Sequence, residues 1–178
     1  MLDALIYIAA TLVSNYMADW FVALPIFGLV SLGTLTFGVT FTQRDRVHRF
    51  GRKAVYAMIL AAAALNVLES VFLGVSWRII LASFTAIVLA EAADTEVYQR
   101  LLARPWIQRV AGSNAVSIPM DTILFTSMAF AGVFPLPVLI SIMFGDIVVK
   151  AIISGLVALR REAGAGRPAP AMSEGGRG

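Results

Sequence analysis

The chain alternates between long apolar runs and short polar connections. A helix needs about 20 mostly apolar residues to cross a bilayer. Six stretches qualify, roughly Leu2–Leu24, Pro25–Thr42, Ala54–Gly74, Ser76–Leu101, Ser113–Val133 and Pro137–Leu159. Connections between them are short, except Gln43–Lys53 and Leu102–Gly112. Pro25, Pro135 and Pro137 stand at run boundaries, where a proline costs a helix little. The pattern predicts an all-α integral membrane protein of six transmembrane helices over residues 1–162. A disordered cytoplasmic tail rich in Gly, Pro and Ala is expected over 163–178. The first run starts almost at Met1, lacks a basic leader and holds Ser14, Asn15 and Asp19, so it reads as a retained helix. No repeat is evident, so an inverted-repeat fold is not expected.

Charge sets the orientation. Twelve of the 14 Lys and Arg residues fall in the connections after the second and fourth runs and at the C-terminal end. They include Arg44, Arg46, Arg49, Arg52 and Lys53, then Arg100, Arg104 and Arg109, then Arg160, Arg161, Arg167 and Arg177. With six spans all twelve share one side. The positive-inside rule then puts both termini in the cytoplasm. The opposite side carries only Arg78, and Lys150 lies within the sixth run. Trp20, Trp77 and Trp106 stand at predicted helix ends, as in an aromatic belt. Hydrophobic residues make up 59% of the chain and charged residues 14%, well below the roughly 25% of a soluble domain. The net charge of +3 therefore reflects topology rather than a nucleic-acid partner. The partners expected are the lipid bilayer and a small molecule. A homo-oligomer or an energising partner remains open.

Polar residues inside the apolar runs need a reason, because charge in hydrocarbon is costly. The fifth run carries Ser113, Ser117 and Asp121 four apart, with Asn114 beside them and Pro119 between. This makes one polar stripe on a helix face, read either as a substrate-facing wall or as helix–helix glue. Glu91 and Asp94 share a face of the fourth run. Asp146 and Lys150, four apart with the acid first, suit an internal ion pair. Thr11, Ser14, Asn15 and Ala18 form a small polar face on the first run. Gly28, Ser31, Gly33 and Gly38 suggest close packing of the second. Asn66 and Glu69 stand near the outer end of the third. His48, the one histidine, lies in a basic connection and reads as solvated.

Catalytic constellations are missing. There are no cysteines, no H-E-x-x-H and no G-x-S-x-G. One histidine cannot build a zinc site. Met143 stands where the G-x-G-D pattern of membrane aspartyl proteases needs glycine. No P-loop is present, so the chain does not itself hydrolyse nucleotides. No cofactor is expected, and a carrier fits better than an enzyme.

Several short motifs together resemble one family. They are Ser14-Asn15-Tyr16, Arg78-Ile79 with Ala82-Ser83-Phe84, and Asp94 with Val97-Tyr98 and Arg100. Asp121-Thr122 with Phe125, and Asp146 with Lys150, continue the series. The chain is similar, over nearly all of residues 12–158, to the VUT family of vitamin-uptake-like queuosine precursor transporters. The resemblance implies a fold similar to the substrate-binding subunit of energy-coupling vitamin transporters. It also implies import of a 7-deazaguanine base, preQ0 or preQ1, across the inner membrane. A guanine-like edge offers two adjacent N–H donors, which a carboxylate accepts in parallel. Glu91 or Asp121 is the expected reader, with Asn114, Asn15 and Ser117 completing the polar shell. Phe84, Phe125 or Tyr16 would stack on the base. Three other readings stay open: a capture subunit that needs an ATPase module, a membrane enzyme, and an assembly protein whose buried acids are mere ion pairs.

Overall fold

The computed structural model describes residues 1–47 and 50–165. His48, Arg49, and the tail beyond 165 with Arg167 and Arg177 lie outside the described residues. The elements run α1 (Leu2–Tyr16), β1 (Phe21–Leu24), β2 (Gly28–Ser31), a 3-10 turn (Leu32–Thr36) and α2 (Phe37–Val47). Then follow α3 (Arg52–Leu73), α4 (Trp77–Arg100), α5 (Trp106–Phe130) and α6 (Leu136–Ala165).

The last four helices follow the apolar runs closely. Gly74 closes α3 in the left-handed conformation at φ 72°, the usual glycine stop. Pro105 immediately precedes α5. The Arg78 guanidinium donates to the carbonyls of Met128 at 3.3 Å and Ala131 at 2.8 Å. It thus meets the unpaired acceptors and negative dipole end of α5. The expected connection Leu102–Gly112 is shorter than the sequence suggested, because α5 already begins at Trp106. At the far end α6 runs on to Ala165, slightly past the expected start of the tail.

The first two runs correct the all-α expectation. Leu2–Leu24 is not one helix: α1 stops at Tyr16 and the chain continues as a strand. Pro25–Thr42 is not a helix either. It makes the hairpin turn, β2, the 3-10 turn and the start of α2. The strands pair antiparallel, from Phe21↔Ser31 to Leu24↔Gly28. Packing explains the strand. In an antiparallel pair alternate N–H groups point away from the partner. Those of Leu29 and Ser31 are taken by α6, by Ser141 Oγ at 3.1 Å and Asp146 Oδ1 at 3.1 Å. Helix α6 therefore serves as the neighbour on the free edge of β2. Six helices are present among the described residues, but α2 has only 11 residues and cannot span alone.

The hairpin turn is strained. The Phe27 N–H donates to Leu24 O at 3.2 Å, with Pro25 and Ile26 at the corner. Ile26 has φ 75° at a position where such turns use glycine. A β-branched residue there costs about 1–3 kcal/mol. Ile26 is 92% exposed and loses little packing on truncation. Ile26→Gly is therefore expected to raise stability by about 1 kcal/mol, after the glycine's own entropy cost. A thermal melt of the purified protein that stays level or falls would contradict this.

Polarity is inverted relative to a water-soluble bundle. Leu60, Val71 and Phe72 on α3, and Ile140 and Leu156 on α6, are exposed. Asn15, Asn114, Thr122, Thr126 and Asp146 are buried. Segments Lys53–Leu73 and Leu136–Arg160 are long and apolar enough to cross a membrane, with mean hydropathy 1.8 and 2.2. Two apolar clusters mark the ends of the bundle. One joins Ala18, Val75, Ile79 and Phe130. In it Phe21 meets the rings of Phe130 and Phe134 edge-on at 5.5 and 5.7 Å. The other joins Tyr7, Val47, Val55 and Ile59. Between them lies the polar interior.

Candidate functional site

A cavity of about 130 Å³ occupies that interior, walled by α1, the hairpin and 3-10 turn, α2, α4, α5 and α6. Its walls have distinct chemistry. Helix α5 supplies Ser117, Asp121 and Phe125 one turn apart, while Ser113, the first member of the expected polar stripe, is buried outside the wall. Helix α6 supplies Asp146 and Lys150, and α1 supplies Tyr7 and Asn15. Ser31, Thr34 and Arg44 come from the segment expected to be a plain packing helix and its basic connection.

The acids are held differently. Lys150 Nζ lies 2.8 Å from Asp121 Oδ2 and 3.1 Å from Thr122 Oγ1. It also sits 5.6 Å from the centroid of the Phe37 ring. The expected Asp146–Lys150 pair is thus replaced by an interhelical pair, Asp121–Lys150. Asp146 is held by the hairpin instead. Asp146 Oδ1 already accepts from the Ser31 N–H at 3.1 Å and from Thr34 Oγ1 at 2.8 Å. Asp121, across the cavity wall, is the carboxylate that the ammonium can neutralise. Spacing of i,i+4 offered the first pair, and tertiary packing chose the second.

Glu91 does not line the cavity. It is buried and faces Arg44, with Arg44 Nη1 2.9 Å from Glu91 Oε2. Asp94 Oδ2 lies 3.9 Å from Arg44 Nη2. Ser117 Oγ donates to Asp94 Oδ1 at 3.1 Å. Glu91 therefore reaches the cavity through Arg44, whose guanidinium also lies 4.9 Å from the centroid of the Phe41 ring.

Three more expected ligand residues lie elsewhere. Asn114 is buried against α6, where its Nδ2 donates to Ser154 Oγ at 2.6 Å. It joins two helices and lines no part of the cavity. Phe84 lines a separate void of about 10 Å³ between α1, α3 and α4, too small for a ligand. Tyr16 packs edge-on against Trp20 at 5.6 Å, away from the cavity. Asn15 lines both spaces, and its Nδ2 donates to Asn66 Oδ1 at 2.8 Å. Among the described residues no group of His, Cys, Asp and Glu is placed to hold a metal ion.

A profile of the family described as putative vitamin uptake transporter matches residues 66–159. The chain belongs to that family. A relative from Bacillus subtilis (strain 168) carries the name "Probable queuosine precursor transporter". It is 29% identical over 163 residues, which cover 72% of this chain and 69% of that protein. No solved structure matches the chain. The matched stretch covers the end of α3 through α6, so it includes Ser117, Asp121, Asp146 and Lys150. Membership in a transporter family and the apolar exterior together make this a membrane protein. The residues that sequence reasoning assigned to packing or topology, Ser31, Thr34 and Arg44, lie before the matched stretch. For Ser31 and Thr34 the signal was the Ser-Leu-Gly-Thr interruption inside an otherwise apolar run.

Proposed function

We propose that this chain is a carrier that imports a 7-deazaguanine base, a queuosine precursor such as preQ0 or preQ1, across the inner membrane. Residues 1–162 form its transmembrane domain, and both termini lie in the cytoplasm. The first two crossings are composite: α1 with β1, then β2 with the 3-10 turn and α2. Laid end to end these span roughly 35 and 40 Å, enough for a hydrocarbon core of about 30 Å. Irregular backbone at that depth is stable where it is packed or lines a cavity, and the hairpin does both. In this topology Arg44, Arg46, Lys53, Arg100, Arg104, Arg109 and Arg160 share the cytoplasmic side.

The observation that carries the reading is the cavity between two apolar clusters, whose largely apolar wall carries Asp121, Asp146 and Lys150. Its volume is close to the roughly 150 Å³ of an engineered cavity that holds benzene. That favours a compact ring system over a vitamin with a long side chain. Phe125 offers a ring face to a planar base, and Asn15, Ser117 and Asp121 offer polar contacts. The relative's printed name points to the same ligand class.

The test is uptake of labelled preQ0 and preQ1 by purified protein in liposomes, with no ATPase present. Saturable accumulation of unchanged base is expected. Binding without uptake would replace the carrier with a capture subunit that needs an energising partner. A covalently altered product would mark an enzyme, and neither binding nor uptake would overturn the substrate.

A further inference from the structure

We infer that Asp146, rather than Glu91 or Asp121, is the carboxylate that reads the donor edge of the ligand. The inference rests on the carrier reading above and assigns the specificity of its site.

Four carboxylates stand at or beside the cavity, and geometry separates them; Asp94 lines no part of it and accepts from Ser117. Glu91 lines no part of it and is paired with Arg44. Asp121 lines it, but Lys150 already neutralises its Oδ2 at 2.8 Å. A ligand that took that oxygen would have to displace an ammonium tethered to the same wall. Asp146 is 2% exposed and lines the cavity, and both of its hydrogen bonds end on Oδ1. One donor is a backbone N–H of β2, and the other is a hydroxyl of the 3-10 turn. Two donors on one oxygen fix the plane and rotation of the carboxylate. Oδ2 is then the oxygen left to a ligand, in an orientation that does not have to be organised on binding.

The charged groups around Asp146 fit this role. Lys150 lies one turn along α6 and Asp121 faces it from α5. From the hairpin and 3-10 turn, Ser31 and Thr34 donate to Asp146. The Asp121–Lys150 pair carries no net charge, so Asp146 supplies the local negative charge of this wall. The ligand chemistry implied is a planar heterocycle with adjacent N–H donors, such as a ring N–H beside an exocyclic amine. With Oδ1 engaged by Ser31 and Thr34, Oδ2 is the acceptor for this edge, and an ionised carboxylate offers no donor of its own. Charged hydrogen bonds of this kind contribute more than neutral ones. Ser31 and Thr34 line the cavity themselves and, toward Asp146, serve as positioning residues.

The decisive readout is a ratio of affinities. Wild-type protein in detergent is titrated with preQ0 and with its analogue lacking the 2-amino group. The wild type is expected to prefer the 2-amino base by about 10- to 100-fold. Asp146→Asn keeps the size and one acceptor for Ser31 and Thr34, but turns an NH2 donor toward the ligand. It is expected to reduce the preference to near unity, whereas Asp121→Asn weakens both ligands and leaves the ratio standing. Thr34→Val removes one tether and is expected to lower the ratio partway, which keeps the test open if Asp146→Asn does not fold. A preference that survives both Asp146→Asn and Thr34→Val, or one that disappears in Asp121→Asn instead, overturns the assignment. If the wild type binds neither base, the substrate class fails, which is a separate result.

Discussion

Gly145→Ala is expected to yield protein that is destabilised by about 3 kcal/mol or does not accumulate at all. A β-carbon at Gly145 would collide with the carbonyl oxygen of Leu29, lie 2.7 Å from that of Phe27, and lie 2.9 Å from Val30 Cγ2. Two of these atoms are backbone, so no rotamer change relieves the clash. The hairpin would have to lift off α6. That motion would break the Ser31 N–H bond to Asp146, one residue along, and the Leu29 N–H bond to Ser141. Buried N–H groups in a membrane interior have no water to turn to. Gly155 on the same helix is the control, since a β-carbon there meets nothing within 4 Å. Gly155→Ala should be neutral or gain up to about 1 kcal/mol from helix propensity. Melting temperatures and size-exclusion profiles of the two variants would decide. Equal behaviour would mean that the hairpin does not rest on α6.

This contact also shows what the sequence could and could not convey. Helices α3, α4 and α6 were legible because their apolar runs are long and end at strong punctuation, Gly74 and Pro135. The stretch from Phe21 to Ser31 is equally apolar, and a short apolar run does not distinguish strand from buried helix by pattern alone. Pro25 and Gly28, three residues apart, bracket the turn and were the available signal. What settles the matter is remote in sequence: the hairpin's free N–H groups end on Ser141 and Asp146.

The site follows the same rule. Ser117 and Asp121 were legible because helical spacing puts them on one face, whereas Phe125 entered as one of three stacking candidates under the family resemblance. Asn114 lies next to that face and turned out to join α5 to α6 through Ser154. Lys150 makes its close contact with Asp121 rather than Asp146, because spacing states which groups can meet, not which partner the packing of helices brings nearest. Arg44 was counted among the charges that orient the chain. It has a second role at the wall of the cavity, which only the fold reveals.

That second role leads to the other large expected effect. Arg44→Gln is expected to cost about 3–5 kcal/mol, the range for removing one partner of a buried pair. The Arg44 side chain is 15% exposed and that of Glu91 is 3% exposed. Asp94 stands on the same guanidinium at 3.9 Å, so one cation faces two acids. The composition of this cluster predicts an order of effects. Removing the cation leaves Glu91 and Asp94, a turn apart on α4, to repel each other in a region of low dielectric. Glu91→Gln leaves Arg44 with Asp94 to answer its charge, so it should be milder. The double variant Arg44→Gln/Glu91→Gln should be more stable than Arg44→Gln alone, because it removes one of the two acids that repel each other. A coupling of about 1 kcal/mol or more in the resulting cycle is expected for residues in direct contact. Melting curves of the three variants in one detergent provide the measurement. The cluster joins α2 to α4 by side chains at the edge of the cavity, and Ser117 extends it to α5. Additive losses in the cycle would show that Arg44 and Glu91 act independently, and the ion pair could then no longer be what fastens α2 across this end of the bundle.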